Sequence, residues 1–141
     1  MKLELELNVA PITINHYHKI TTRGKHASKY KTAGAVDFEK AMDRELYRHI
    51  AKIKEFNDCY DSKKHYLVVD YRFYFPIFTK KMLLPKRKND VDNFIKAAQD
   101  NIFNYMKPDD SEIVSLTASK INSDTPKIKV TILAKHLTSI Q

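Results

Sequence analysis

At the N-terminus leucine and polar residues alternate strictly: Leu3, Leu5 and Leu7 take turns with Lys2, Glu4, Glu6 and Asn8. That period of two predicts a strand with one buried and one wet face. From Pro11 to Gly34 no period survives, and Lys19, Arg23, Lys25, Lys29 and Lys31 are interleaved with Tyr17, Tyr30, His16, His18 and His26. This stretch reads as a long, mobile basic loop. Phe38, Met42, Leu46, Ile50 and Ile53 then recur at spacings of four and three, which predicts one amphipathic helix from about Val36 to Glu55.

The segment from His65 to Ile77 is rich in Tyr, Val and Phe and reaches Pro76, so a strand buried on much of both faces is expected, central in its sheet. Ile95, Ala98, Ile102 and Met106 mark a second helical stripe that must stop before Pro108. Two further strands follow: Val114, Leu116 and Ala118 alternate with Ser115, Thr117 and Ser119, and Ile128, Val130, Ile132 and Ala134 alternate with Lys127, Lys129, Thr131 and Lys135. A turn spans Asn122 to Pro126. The order strand, helix, strand, helix, strand, strand implies an α+β fold with a four-stranded mixed sheet and two main helices. No internal repeat or linker divides the chain, so residues 1–141 are expected to form one domain.

Composition narrows the partners. A chain of 141 residues, 43% hydrophobic and 11% aromatic, can build a single core. Its 25 Lys and Arg against 17 Asp and Glu give a formal charge of +8, which suits a polyanion, nucleic acid first, although a basic surface also serves solubility. Cys59 is the only cysteine, which excludes an intramolecular disulfide and a cysteine-built zinc cage and fits a reducing cytoplasm. The alternating N-terminus is no signal peptide, and no run of apolar residues is long enough to span a membrane.

The chemistry concentrates in two acidic clusters. Asp90 and Asp92 lie two apart just before the second helix, where extended backbone points both carboxylates the same way, toward a shared hard cation such as Mg²⁺. Such an ion takes carboxylate oxygens, water and substrate phosphate, and in phosphodiester cleavage it polarises the phosphoryl group. The plainer alternative is that one of them caps the helix. Asp109 and Asp110, in Pro108-Asp-Asp-Ser-Glu112, equally suit a type I turn. Lys96, one turn after Asp92, could orient a phosphate or simply pair with Asp92 or Asp100. Acid gathered in a basic chain favours the functional reading, because bound metal would turn a cluster that repels phosphate into one that attracts it.

The stretch Asp90-Val-Asp-Asn-Phe-Ile-Lys-Ala-Ala-Gln-Asp100, followed by Lys107-Pro-Asp-Asp-Ser-Glu-Ile-Val114, resembles the signature of the RusA family of Holliday-junction resolvases. That signature is D-x-D-N, a lysine four residues after its second Asp, a further Asp, and a D-D pair entering a strand. The resemblance implies three catalytic, metal-binding carboxylates at Asp90, Asp92 and Asp110, with Lys96 as the basic catalytic residue and Asp100 and Asp109 as neighbours. Asp110 matches the second Asp of the family's pair. The resemblance further implies Mg²⁺ as cofactor, a homodimer, and paired symmetric nicks in four-way or other branched DNA during recombination, repair or phage DNA processing. Ala10-Pro-Ile-Thr-Ile-Asn15 is similar to the family's proline-rich turn ending in asparagine.

Arg23, Lys25, Lys29, Lys86, Arg87 and Lys88 are the candidate contacts to DNA phosphates. The competing reading is a non-catalytic module that binds branched DNA through its basic segments while the aspartates cap and turn. A transition-metal site built from the six histidines is a third, but His16 and His18 have no paired carboxylate nearby in the sequence.

Overall fold

The computed structural model describes residues 1–13, 18–23, 26–77 and 90–139, with the side chains of 18–29 and 139 outside that description. A four-stranded sheet runs in the order β1 (Lys2–Leu7), β6 (Lys127–His136), β4 (His65–Phe75), β5 (Ile113–Asn122). β1 and β4 are antiparallel to β6, and β5 is parallel to β4, so the sheet is mixed. β4 is interior, as its aromatic run predicts. One of its faces is buried from Leu67 to Phe75 and most of the other is half-buried, so both faces contribute to the pattern.

The parallel pair β4 and β5 is bridged by α3 (Val91–Ile102), while β5 reaches β6 by crossing the end of β4. Residues 123–126 make that crossing, held by the Ser123 N–H donating to the Phe75 carbonyl at 3.1 Å and the Ile77 N–H donating to Asn122 Oδ1 at 3.1 Å. The core lies between one sheet face and the helices. Leu3, Leu5 and Leu7, then Ile128, Val130 and Ile132, then Leu67, Val69, Tyr71 and Phe73 are its sheet side.

The helical layer corrects one expectation. Among the described residues there are three α-helices, because the first amphipathic run divides into α1 (Ala33–Arg48) and α2 (Ile50–Cys59). At His49 the backbone leaves helical geometry (φ −102°, ψ 13°) and the ring Nε2 sits 3.1 Å from the Glu6 carbonyl on β1. The apolar spacing runs through the break undisturbed, from Leu46 to Ile53 and Phe56, all buried. α1 starts at Ala33, where Thr32 accepts from the Ala35 N–H at 3.1 Å as a side-chain cap.

A second correction concerns the segment read as an irregular loop. His18–Arg23 (β2) and His26–Lys31 (β3) pair antiparallel in a separate two-stranded sheet, from His18 opposite Lys31 to Arg23 opposite His26. Ile20, Thr21, Thr22 and Tyr30 favour strand backbone, and only Gly24 and Lys25 lie between the strands. A third difference is at β5, where Val114 and Leu116 are exposed by 63% and 43%. The β4–β5 register shifts between Leu67 and Val68, so Val114 faces no β4 residue, and β5 has no strand on its far side among the described residues. No helix of the described residues is long and apolar enough to cross a membrane.

Candidate nuclease centre

α3 buries Phe94, Ala97, Ala98 and Ile102 against the sheet, with the Phe94 ring 5.5 Å from Phe73 and 5.0 Å from Phe75. Its opposite stripe carries Asp92, Lys96 and Gln99 at i, i+4 and i+7, with Asp100 alongside. Asp90 holds the N-cap position through its backbone, its carbonyl accepting from the Asn93 N–H at 3.1 Å, but its side chain caps nothing. Asp92 corrects a further expectation: the helix already starts at Val91, so Asp92 lies inside the first turn and not in extended backbone before it. The alternation expected to aim both carboxylates one way does not apply, while the exposed N–H groups of that turn favour negative charge. Both side chains are exposed. Neither of the plainer roles open to this end is realised: Asp90 is no side-chain cap, and Lys96 forms no ion pair with Asp92 or Asp100.

The second acidic cluster is engaged quite differently. Asp109 accepts from the Ser111 N–H at 3.1 Å and so fixes a single 3-10 turn over Asp110–Glu112. Those hydrogen bonds from Ser111 hold its carboxyl below the ordinary carboxylate range. Asp110, half-buried, turns toward α3, where Gln99 Nε2 donates to its Oδ2 at 3.4 Å. Gln99 Oε1 in turn accepts from the Tyr71 hydroxyl at 3.0 Å. Burial, reinforced by the negative charges of Asp110 and Asp100, pushes the Tyr71 phenol far above its usual range, so it stays a neutral donor.

Glu112 is tied down as well, accepting from the Tyr60 hydroxyl at 2.9 Å. Asn57 stitches the preceding turn to α2, donating to the Tyr105 carbonyl at 3.0 Å and accepting from the Lys107 N–H at 2.9 Å. The segment around Asp110 is therefore held by Asn57 of α2, by Tyr60 just beyond it and by Gln99 of α3.

Asp110 comes together with Gln99, and its charge and that of Asp100 both act on Tyr71, but it does not join Asp90 and Asp92 in a three-carboxylate set. Among the described residues no group of three His, Cys, Asp or Glu side chains is close enough to hold a metal. The helix explains the spacing: Gln99 is seven residues beyond Asp92, about 10 Å along the axis at 1.5 Å per residue. Lys96 stands between them.

Gln99 and Tyr71 were not singled out by sequence. Gln99 carried a signal, since it shares a helical face with Asp92 and Lys96, but Tyr71 is one aromatic among many in β4. Of the candidate DNA contacts, Arg23 lies in β2 and Lys29 in β3, with their side chains outside the description, while Lys25, Lys86, Arg87 and Lys88 lie outside the described residues, as does Asn15.

Against known proteins, the family model described as endodeoxyribonuclease RusA matches residues 10–133, which takes in both acidic clusters. The uncharacterized protein YqaN of Bacillus subtilis (strain 168) is 40% identical over 53 residues, 38% of this chain and 37% of that protein. The match thus spans well under half the length of that relative.

Proposed function

The chain belongs to the RusA family of endodeoxyribonucleases, and on that premise we propose that it is a Mg²⁺-dependent, homodimeric nuclease that resolves four-way DNA junctions by paired symmetric nicks. The observation that carries this reading is the pair of exposed aspartates at the start of α3, neither used by the fold as a side-chain cap. Carboxylates without a side-chain partner among the described residues, beside helix N–H groups and a lysine likewise unpaired there, are a donor set matched to a hard cation and a phosphate.

The fit to Mg²⁺ is chemical. This ion binds through one or two carboxylates and keeps waters and substrate phosphates as its other ligands, and Asp90 and Asp92 supply such a pair. In this reading Asp90 and Asp92 would hold the metal from the start of α3, Asp110 would complete the acidic face of the site, and a bound ion would lower the pKa of its water and polarise the phosphoryl group. Lys96 places its ammonium against a non-bridging phosphate oxygen and offsets the charge that grows there during cleavage. Gln99, fixed from below by the neutral Tyr71 hydroxyl, orients the Asp110 carboxylate. Arg23, Lys25, Lys29, Lys86, Arg87 and Lys88 position the DNA arms through phosphates, which carry no sequence information.

One observation favours the alternative of a non-catalytic junction-binding module: the three carboxylates are not gathered into one group. Cleavage of a synthetic four-way junction and of linear duplex of the same sequence, with Mg²⁺ or EDTA, separates the two. Paired nicks that need both metal and Asp92 are the expected result. Tight, metal-independent binding with no cutting would sink the nuclease reading.

A further inference from the structure

The sheet face turned away from the helices carries a charge arrangement that the nuclease centre does not use. On the interior strands β4 and β6, Arg72 stands directly opposite Lys129 and Tyr74 directly opposite Lys127. Like charges directly opposite one another destabilise an antiparallel ladder, and an interior pair has no free edge to splay toward.

The Lys127 and Lys129 ammonium groups lie 5.0 Å and 5.4 Å from the centroid of the same Tyr74 ring. A cation over an aromatic ring at the surface gains about 0.5–1 kcal/mol and somewhat more where the ring is half-buried as Tyr74 is, so the shared ring offsets the crowding in part.

The carboxylates of this face are already taken. Glu4 pairs with Lys2 at 2.8 Å, Glu6 with Lys127 at 3.2 Å and Asp70 with Arg72 at 3.2 Å. Asp70 also accepts from the Thr117 hydroxyl. Lys129 and Lys52 have no ion pair among the described residues. Both line a groove of about 620 Å³, together with Arg72, His49 and Thr131, that runs from this face over the β1 edge to α2. Counting Lys127, which pairs with the lining Glu6, five basic side chains (Lys2, Lys52, Arg72, Lys127 and Lys129) meet three acids, and although Glu4 also attracts Lys52 and Lys129 a surplus of two positive charges remains.

We propose that this groove is a second contact for the DNA backbone, in which Lys129, Lys52 and Arg72 take phosphates of a DNA arm on the side of the sheet opposite α3. The inference rests on the DNA-substrate reading above and extends it. Phosphate would relieve the Arg72–Lys129 repulsion, so a pairing unfavourable in the free protein becomes favourable in the complex. An arm held there and a strand held at α3 would clasp the domain from two sides.

The test is binding of a four-way junction in EDTA across a salt series, for wild type, Lys129→Gln, Lys52→Gln, Arg72→Gln and the control Lys40→Gln on the exposed side of α1. Each groove variant is expected to weaken binding several-fold and to reduce the salt slope by about one, beyond any effect of Lys40→Gln. Melting temperature should hold or rise in Lys129→Gln, because a like-charge pair is removed. If one variant fails to fold, the other two, on different elements, still report.

Groove variants that match Lys40→Gln in affinity and slope would overturn this inference alone. Wild-type protein that binds no DNA would overturn the functional reading and this inference with it. Weakened binding that accompanies a change in oligomeric mass would assign the face to protein contact instead, and overturn it too.

Discussion

The two acidic clusters look alike as sequence, Asp90-Val-Asp92-Asn and Asp109-Asp110-Ser-Glu112, yet the fold treats them in opposite ways. At the start of α3 the carboxylates are exposed and the fold asks nothing of Asp90's side chain. At the entry to β5 every acid is engaged, for Asp109 fixes the turn, Asp110 meets Gln99, and Glu112 meets Tyr60. An aspartate whose removal leaves the structure content is a better candidate for chemistry than one already engaged. The contrast also separates Asp109 from Asp110, since Asp109 faces its own turn and Asp110 faces the helix that carries the other candidates.

The largest effect is expected at the exposed end. Asp92→Asn should reduce junction cleavage by about 100-fold or more, as loss of a metal ligand does, while stability falls by only about 0.3–1 kcal/mol from the lost charge at the helix start. Single-turnover cleavage beside urea denaturation reads both quantities. A variant that unfolds as it loses activity would place Asp92 with the engaged acids.

The next effect belongs to the tied end and is one of stability. Gln99→Leu strands the buried Tyr71 hydroxyl and should cost about 1–3 kcal/mol, more than Tyr71→Phe at about 1 kcal/mol. The double variant should cost less than the sum, since replacing both partners leaves nothing orphaned. Equilibrium unfolding of the three proteins checks the order, and additive losses would mean that the two side chains act separately.

A smaller effect is expected with pH. The Tyr71 and Tyr60 phenols are held above their usual value of 10, chiefly by burial. A group raised in the folded state contributes stability that is complete below its unfolded pKa and is lost as pH rises beyond it. Stability should therefore decline above about pH 10, with phenolate absorbance from these residues appearing only on unfolding, and Tyr71→Phe should flatten the decline. The mildest change is Asp109→Asn: asparagine suits the turn, so cleavage should stay within a few-fold of wild type. Its signature is the acid limb, because a depressed carboxylate stabilises above its unfolded pKa and loses that contribution as pH falls. A flatter stability profile below about pH 4 would show it.

How far the sequence spoke varied with the source of the pattern. The strands β1, β4 and β6 and the stripe of α3 were legible because each buries a face, and burial writes a period into the chain. The ribbon of β2 and β3 was not, because its residues alternate no apolar side and its pairing is a backbone matter. The break at His49 was hidden for another reason: Leu46, Ile50, Ile53 and Phe56 keep helical spacing straight through it, while its ring is engaged by a carbonyl 43 residues away.

Residue order alone was enough for the α+β class, the four strands of the main sheet, the position of the D-x-D at a helix start and the lysine one turn on, because these depend on residues within a few positions of one another. Which acids are occupied was settled only once the helices had packed on the sheet. Tyr71 reaches Gln99 across 28 residues and Gln99 reaches Asp110 across 11. Such contacts form between elements already folded, and no local period encodes them.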